Sequence, residues 1–105
     1  MEEKQFIRHL PRASVLTLKD QISYQEGQIA SKTLAQNKNV SLTLFAFDKD
    51  EEISSHQSTG DAKNQVLEGK ARIKLGKEFF EVSQGESKLM PHDQDHADYE
   101  EEPMK

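Results

Sequence analysis

The stretch Gly69-Lys-Ala-Arg-Ile-Lys-Leu-Gly-Lys-Glu-Phe-Phe-Glu-Val-Ser-Gln-Gly-Glu-Ser-Lys-Leu-Met-Pro91 decides the fold class of this 105-residue chain. Ala71, Ile73 and Leu75 alternate with Lys70, Arg72 and Lys74. That is the period of two by which a strand turns one face to a core and the other to water. Gly76-Lys77 then turns the chain into Glu78-Phe-Phe-Glu-Val, and Gln84-Gly85-Glu86 turns it again into Ser87-Lys-Leu-Met. Short strands at close spacing, punctuated by glycine turns, predict an antiparallel sandwich or barrel. The basic outer face of the first strand is read as solvated.

Working outward, Lys63-Asn-Gln-Val-Leu-Glu reads as a preceding strand after a loop at Gln57-Ser-Thr-Gly-Asp. In Val40-Ser-Leu-Thr-Leu-Phe-Ala-Phe, the residues Val40, Leu42, Leu44 and Ala46 fall on one face, and Ser41, Thr43, Phe45 and Phe47 on the other. One face is purely apolar and the other mixes hydroxyls with aromatics, as suits a barrel wall. Asp48-Lys-Asp-Glu-Glu is read as a solvated acidic turn, because it lacks the spacing, the glycine and the closing glutamate of a calcium loop. Further upstream, Gln28 to Leu34 reads as a strand. Thr17 to Tyr24 predicts a turn or two of helix ended by Gly27, with Thr17 capping and Leu18 and Ile22 on one face.

The ends carry weaker signals. Met1 to about Ser14 is expected to be a loosely held arm, interrupted by Pro11 and holding an exposed His9. Downstream, His92-Asp-Gln-Asp-His-Ala-Asp-Tyr-Glu-Glu-Glu-Pro-Met-Lys has too few apolar residues for a buried strand and is expected to be disordered or peripheral. The resulting division is an arm at 1–16, a barrel at 17–97 and an acidic tail at 98–105.

Composition limits the function classes. One modest core is all that this length supports. With 33% hydrophobic and 31% charged residues the chain is polar for a self-sufficient fold, so a homodimer is expected. A formal net charge of -5, with no basic run interleaved with aromatics, argues against a nucleic-acid surface. There is no cysteine, hence no disulfide, no thiolate ligand and no thiol nucleophile. Met1-Glu-Glu-Lys-Gln lacks the basic and then apolar order of a secretory signal, and no apolar run approaches a bilayer span. No membrane association and a soluble cytoplasmic protein are expected. A phosphate-cradling glycine loop and a nucleophile elbow are both absent.

The pattern resembles a small single-domain cupin of the cupin 2 conserved-barrel type, over roughly residues 20 to 96. The family's first segment runs glycine, five residues, His-x-His, three or four residues, Glu, six residues, Gly. Here Asp50 stands in the opening glycine's place, His56 is the first histidine and Gly69 the closing glycine, reached through Val66-Leu-Glu-Gly. The second segment, glycine, five residues, Pro-x-Gly, two residues, His, then three residues and Asn, fits Gly85, Pro91 and His96. The resemblance implies an all-β antiparallel cupin-type barrel (a jelly roll) with a short helical turn near its N-terminus. It also locates departures. Ser58 replaces the second histidine, Ala62 or Lys63 the glutamate, Asp93 the glycine of Pro-x-Gly, and Glu100 the asparagine. Of the family's usual metal ligands, three histidines and a glutamate, His56 and His96 remain. Family members also continue through closing strands, whereas this chain runs nine positions beyond His96. The closing strand is therefore expected from another subunit, or lost, since an open edge invites pairing.

Two imidazoles are a poor metal site, because catalytic zinc typically has three protein ligands and non-haem iron two histidines and a carboxylate. Candidate substitutes are His92 and Asp61, the latter one position from the lost glutamate and so on the wrong face unless it lies in a loop. Asn64 shares the strand parity of Ala62 and points inward if Ala62 does. The expected ligand-binding set is His56, Asn64, His92 and His96, with His56 and His96 as metal positions for a weakly held Zn, Fe, Mn or Ni. The favoured expectation is a barrel that binds a small polar molecule such as a sugar or hydroxy acid, or a weak metal, without committed catalysis. The alternatives are a metal-dependent isomerase or dioxygenase and an oligomeric structural protein with a decayed pocket.

Overall fold

The structure, a computed structural model, describes residues 6–56, 60–91, 96–99 and 102–105, with the backbone alone at 53–56, 96, 98 and 99. The described elements are a 3₁₀ turn at Leu18–Gln21 and strands β1 (Ile29–Gln36), β2 (Ser41–Phe47), β3 (Glu52–His56), β4 (Ala62–Gln65), β5 (Lys70–Leu75), β6 (Glu78–Ser83), β7 (Ser87–Met90) and β8 (His96–Tyr99). They pair as β1-β2, as β3-β8-β5-β6 and as β4-β7, all antiparallel. The all-β expectation holds.

The deciding stretch folds as its pattern dictates. Lys70 to Leu75 pairs with Ser83 to Glu78 in continuous register, across a two-residue turn with Gly76 at φ 62°. Ala71 and Ile73 are buried while Lys70, Arg72 and Lys74 are exposed. Ala71, Ile73, Val82, Phe47, Val66, Met90 and Met104 form one core cluster, and Ile22, Leu34, Leu44 and Ala46 a second.

Elsewhere the structure corrects the sequence. The apolar stripe of β2 is buried only in its second half: Leu44 and Ala46 are inside, but Val40 is 60% and Leu42 48% exposed. Val40 and Leu42 lie toward the turn end of the two-stranded ribbon β1-β2, while Leu34, Leu44 and Ala46 join the second cluster. Thr17 does not cap through its side chain; its carbonyl accepts bonds from the Asp20 N–H (3.1 Å) and Gln21 Nε2 (3.2 Å). Four residues of 3₁₀ helix are all that form, as expected where nothing repays helix nucleation. The N-terminal arm is docked rather than loose. The Arg8 N–H bonds the Leu34 carbonyl at 2.7 Å, and Leu10 packs on the Ile22-Leu34 cluster.

The largest correction concerns the acidic tail. The expected boundary between barrel and tail at 97/98 falls inside β8, which lies between β3 and β5. Backbone bonds to two flanking strands place this strand; side-chain alternation does not, so its composition gave no sign of it. Met104 is buried in the core cluster and bridges β2: the Phe47 N–H donates to Met104 O (2.8 Å) and the Met104 N–H to Phe47 O (3.0 Å). This chain thus supplies a segment that pairs with the end of β2.

The acidic turn is likewise anchored. The Asp48 carboxylate accepts the Gly27 N–H at 2.6 Å, tying the start of β1 to the end of β2. Backbone N–H groups of Gly27 and Lys49 hold its carboxyl below the ordinary 3.8. A carboxyl lowered in the native state contributes stability above its unfolded pKa, and loses it as pH falls through the native one. Asp48→Asn is therefore expected to lower the urea midpoint at pH 7. The two proteins' midpoints should converge as pH falls below 3.8.

Candidate functional site

The strand order brings β3 beside β8, and the register sets His56 directly opposite His96. Opposed residues in an antiparallel ladder have Cα atoms about 4.5–5.5 Å apart and occupy one face of the sheet. His96 is also the register partner of Leu75 on β5. Two histidines forty positions apart in the chain thus become cross-strand neighbours. The ladder is irregular between Ile53 and His56, so the meeting occurs beyond a break in pairing.

Turn chemistry supports the alignment that led to these positions. Asp50, in the place of the opening glycine, has φ 63°, while Gly69 has φ 82° and Gly85 φ 86°. All three occupy the left-handed region, and aspartate is among the side chains that tolerate it.

Asn64 follows its parity. Ala62 and Asn64 are half-buried, and Lys63 and Gln65 exposed. Asn64 lines a cavity of about 130 Å³ together with Thr43, Phe45, Phe47, Ala71 and Met104. At about 30 Å³ per water, that space equals roughly four waters, which suits a small solute and not a drug-sized one. Its apolar walls also carry the Thr43 hydroxyl, the Asn64 and Gln65 amides and the stems of Lys63 and Lys105. The Thr43 Oγ1 lies 3.4 Å from the Thr33 Oγ1. Thr43, Phe45 and Phe47 share one parity on β2, the face where hydroxyls mix with aromatics, but no pattern in the sequence marks Met104 as a wall.

The remaining candidates separate. His92 and Ser58 lie outside the described residues. Asp61 is exposed in the loop just ahead of β4, and His9 is exposed on the N-terminal arm. Among the described residues no group of three or more His, Cys, Asp or Glu is placed to hold a metal ion. With Ala62 and Lys63 at the carboxylate position, the residues described do not make a full ligand set, and no step is routed through a metal.

No family model matches the chain, and no curated protein matches it in sequence. Solved structures do. A conserved protein of unknown function from Streptococcus pyogenes is 33% identical, with a TM-score of 0.94 over 98% of this chain and 90% of that one. A cupin superfamily protein from Desulfitobacterium hafniense is 26% identical, with a TM-score of 0.89 over 93% of this chain and 90% of that one. A cupin 2 conserved barrel domain protein from Leptotrichia buccalis is 34% identical, with a TM-score of 0.82 over 85% of this chain; the match spans 43% of that longer protein. With the strand order, the left-handed turn positions and these neighbours in agreement, the chain belongs to the cupin superfamily.

Proposed function

We propose that this chain is a binding protein without committed catalysis, taking a small polar molecule into the cavity between β2 and β4. Asn64 and Thr43 offer hydrogen-bonding groups there. The observation that carries the reading is the half-buried amide of Asn64 in a cavity wall that mixes apolar side chains with Thr43, Lys63, Gln65 and Lys105. Amide, hydroxyl and ammonium groups in one wall favour a polar occupant over an apolar one.

The protein in this reading is cytoplasmic and a homodimer. The exposed Val40, Leu42 and Phe45 support pairing, as an apolar surface that a second copy would cover. No helix among the described residues is long and apolar enough to cross a membrane.

The test is saturation-transfer NMR on protein purified without a chelating tag, using xylose, glucose, lactate and glycolate as probes. At least one probe should give a saturable signal that Asn64→Leu weakens tenfold or more, about 1.4 kcal/mol. Sedimentation of the same preparation should give twice 12.0 kDa. Stoichiometric Fe, Mn, Ni or Zn in that preparation would reject the reading in favour of a metal-dependent cupin.

A further inference from the structure

A second cleft, of about 510 Å³, runs along the open edge of β1 and shares no lining residue with the cavity above. Its wall holds Arg8, His9 and Lys32, with Ser31, Thr33, Ala35 and Gln36. Among the described residues no carboxylate lines it, although the chain carries a net charge of -5. Among the described residues no ion pair engages Arg8, His9 or Lys32. Lys32 Nζ bonds the Gln21 carbonyl, which uses one of its three ammonium donors and leaves two.

The arm that brings Arg8 and His9 here is fixed on both sides. Arg8 is bonded to β1 through its own N–H, and Leu10 is seated on the second core cluster. Between them His9 takes φ 63°, a left-handed kink that histidine adopts more readily than most residues. Part of the ordering cost of a binding loop is thus met before any ligand arrives.

The geometry points to an oxyanion-binding site on this edge, for a small organic molecule bearing a phosphate or carboxylate group. The Arg8 guanidinium offers the planar fork that matches such a group, and His9 and Lys32 add donors. Ser31, Thr33 and Gln36 hydrogen-bond the neutral polar body of the ligand. The volume lies within the range of small-molecule sites and exceeds what an inorganic ion fills. This site stands independently of the cavity proposal.

Amide NMR titrations at constant ionic strength, with inorganic phosphate, inorganic pyrophosphate and glucose 6-phosphate as probes and uncharged glucose as control, test it. The expected result is saturable shifts at residues 8–10 and 31–36 for at least one charged probe, absent with glucose. Arg8→Gln and His9→Gln, each at an exposed position, should weaken that probe tenfold when combined, and Lys77→Gln in the β5-β6 turn should leave it unchanged. If the double variant loses the wild-type spectrum, Ser31→Ala carries the same test with a smaller loss. The proposal is overturned if all three charged probes leave those amides unmoved. It is also overturned if shifts spread over every lysine-bearing surface, if glucose alone reproduces them, or if the variants bind as wild type does.

Discussion

Gly69→Ala is expected to destabilise this protein more than any other single-methyl addition at its glycines. A Cβ at Gly69 would lie 2.7 Å from the Pro103 carbonyl oxygen and 3.3 Å from the Met104 Cα. Both are backbone atoms, so no side-chain rotation relieves the clash, and the 103–105 segment has to move. Moving it disturbs the paired bonds between Phe47 and Met104. It also disturbs those of Lys105 with Leu67 and Glu68, at 2.8 to 3.3 Å. Each such bond contributes about 1 kcal/mol net, and the left-handed φ of 82° adds roughly 1–2 kcal/mol for any residue with a Cβ. Several kcal/mol are then lost from a total of about 5–15 for a domain of this size. Gly85→Ala is the control: its φ is 86° but nothing lies within 4 Å of the added methyl, so only the conformational term applies. Urea midpoints of the two variants should differ by several-fold in their displacement from wild type. Equal displacements would mean that the seam at Pro103 is not closely packed.

That seam is also where the sequence was least legible. β5 was readable from its period of two, and β6 and β7 from the glycine turns at Gly76 and Gly85 that precede them, so local signals and tertiary structure agree. β8 had no glycine turn beside it. In His96-Ala-Asp-Tyr99 the alternation spans only Ala97 and Tyr99 amid charged neighbours, and it is a strand because β3 and β5 hydrogen-bond it from both sides. Met104, one apolar residue in a charged stretch, gave no pattern to read, yet it sits with Phe47, Ile73 and Met90 in the core.

The candidate site divides along the same line. Asn64 was legible through strand parity, which a four-residue strand already fixes. The parity of Thr43, Phe45 and Phe47 was equally legible. Their meeting with Asn64 was not, because β2 and β4 belong to different sheets and only the tertiary fold makes them neighbours. His56 and His96 were singled out by a motif resemblance, and their backbone register across β3 and β8 was not something the sequence could show. Arg8, His9 and Lys32 share a cleft only because the arm docks on β1, and a charge count spread over the chain cannot show that.

Met104→Ala carries the second large expected effect. Met104 is 6% exposed and packs within the cluster that includes Phe47, Val66 and Met90. Truncating a buried methionine to alanine costs about 2–5 kcal/mol, the transfer term plus the cavity left behind. At roughly 4–8 °C per kcal/mol for a domain near this length, the melting temperature should fall by about 10 °C or more. Met104→Leu conserves volume and should cost less than about 1.5 kcal/mol. The pair therefore separates lost packing from any change at the backbone bridge, which both variants retain. Met104 also walls the cavity beside Asn64, so the alanine variant opens that space toward the core. A probe that binds there should weaken in Met104→Ala through lost apolar contact while the Asn64 amide is untouched. If scanning calorimetry instead finds Met104→Ala melting with wild type, residues 102–105 are peripheral, as their composition alone suggests. The displacement of Gly69→Ala should then shrink toward that of Gly85→Ala, because a weakly held 102–105 segment can shift away from the added methyl.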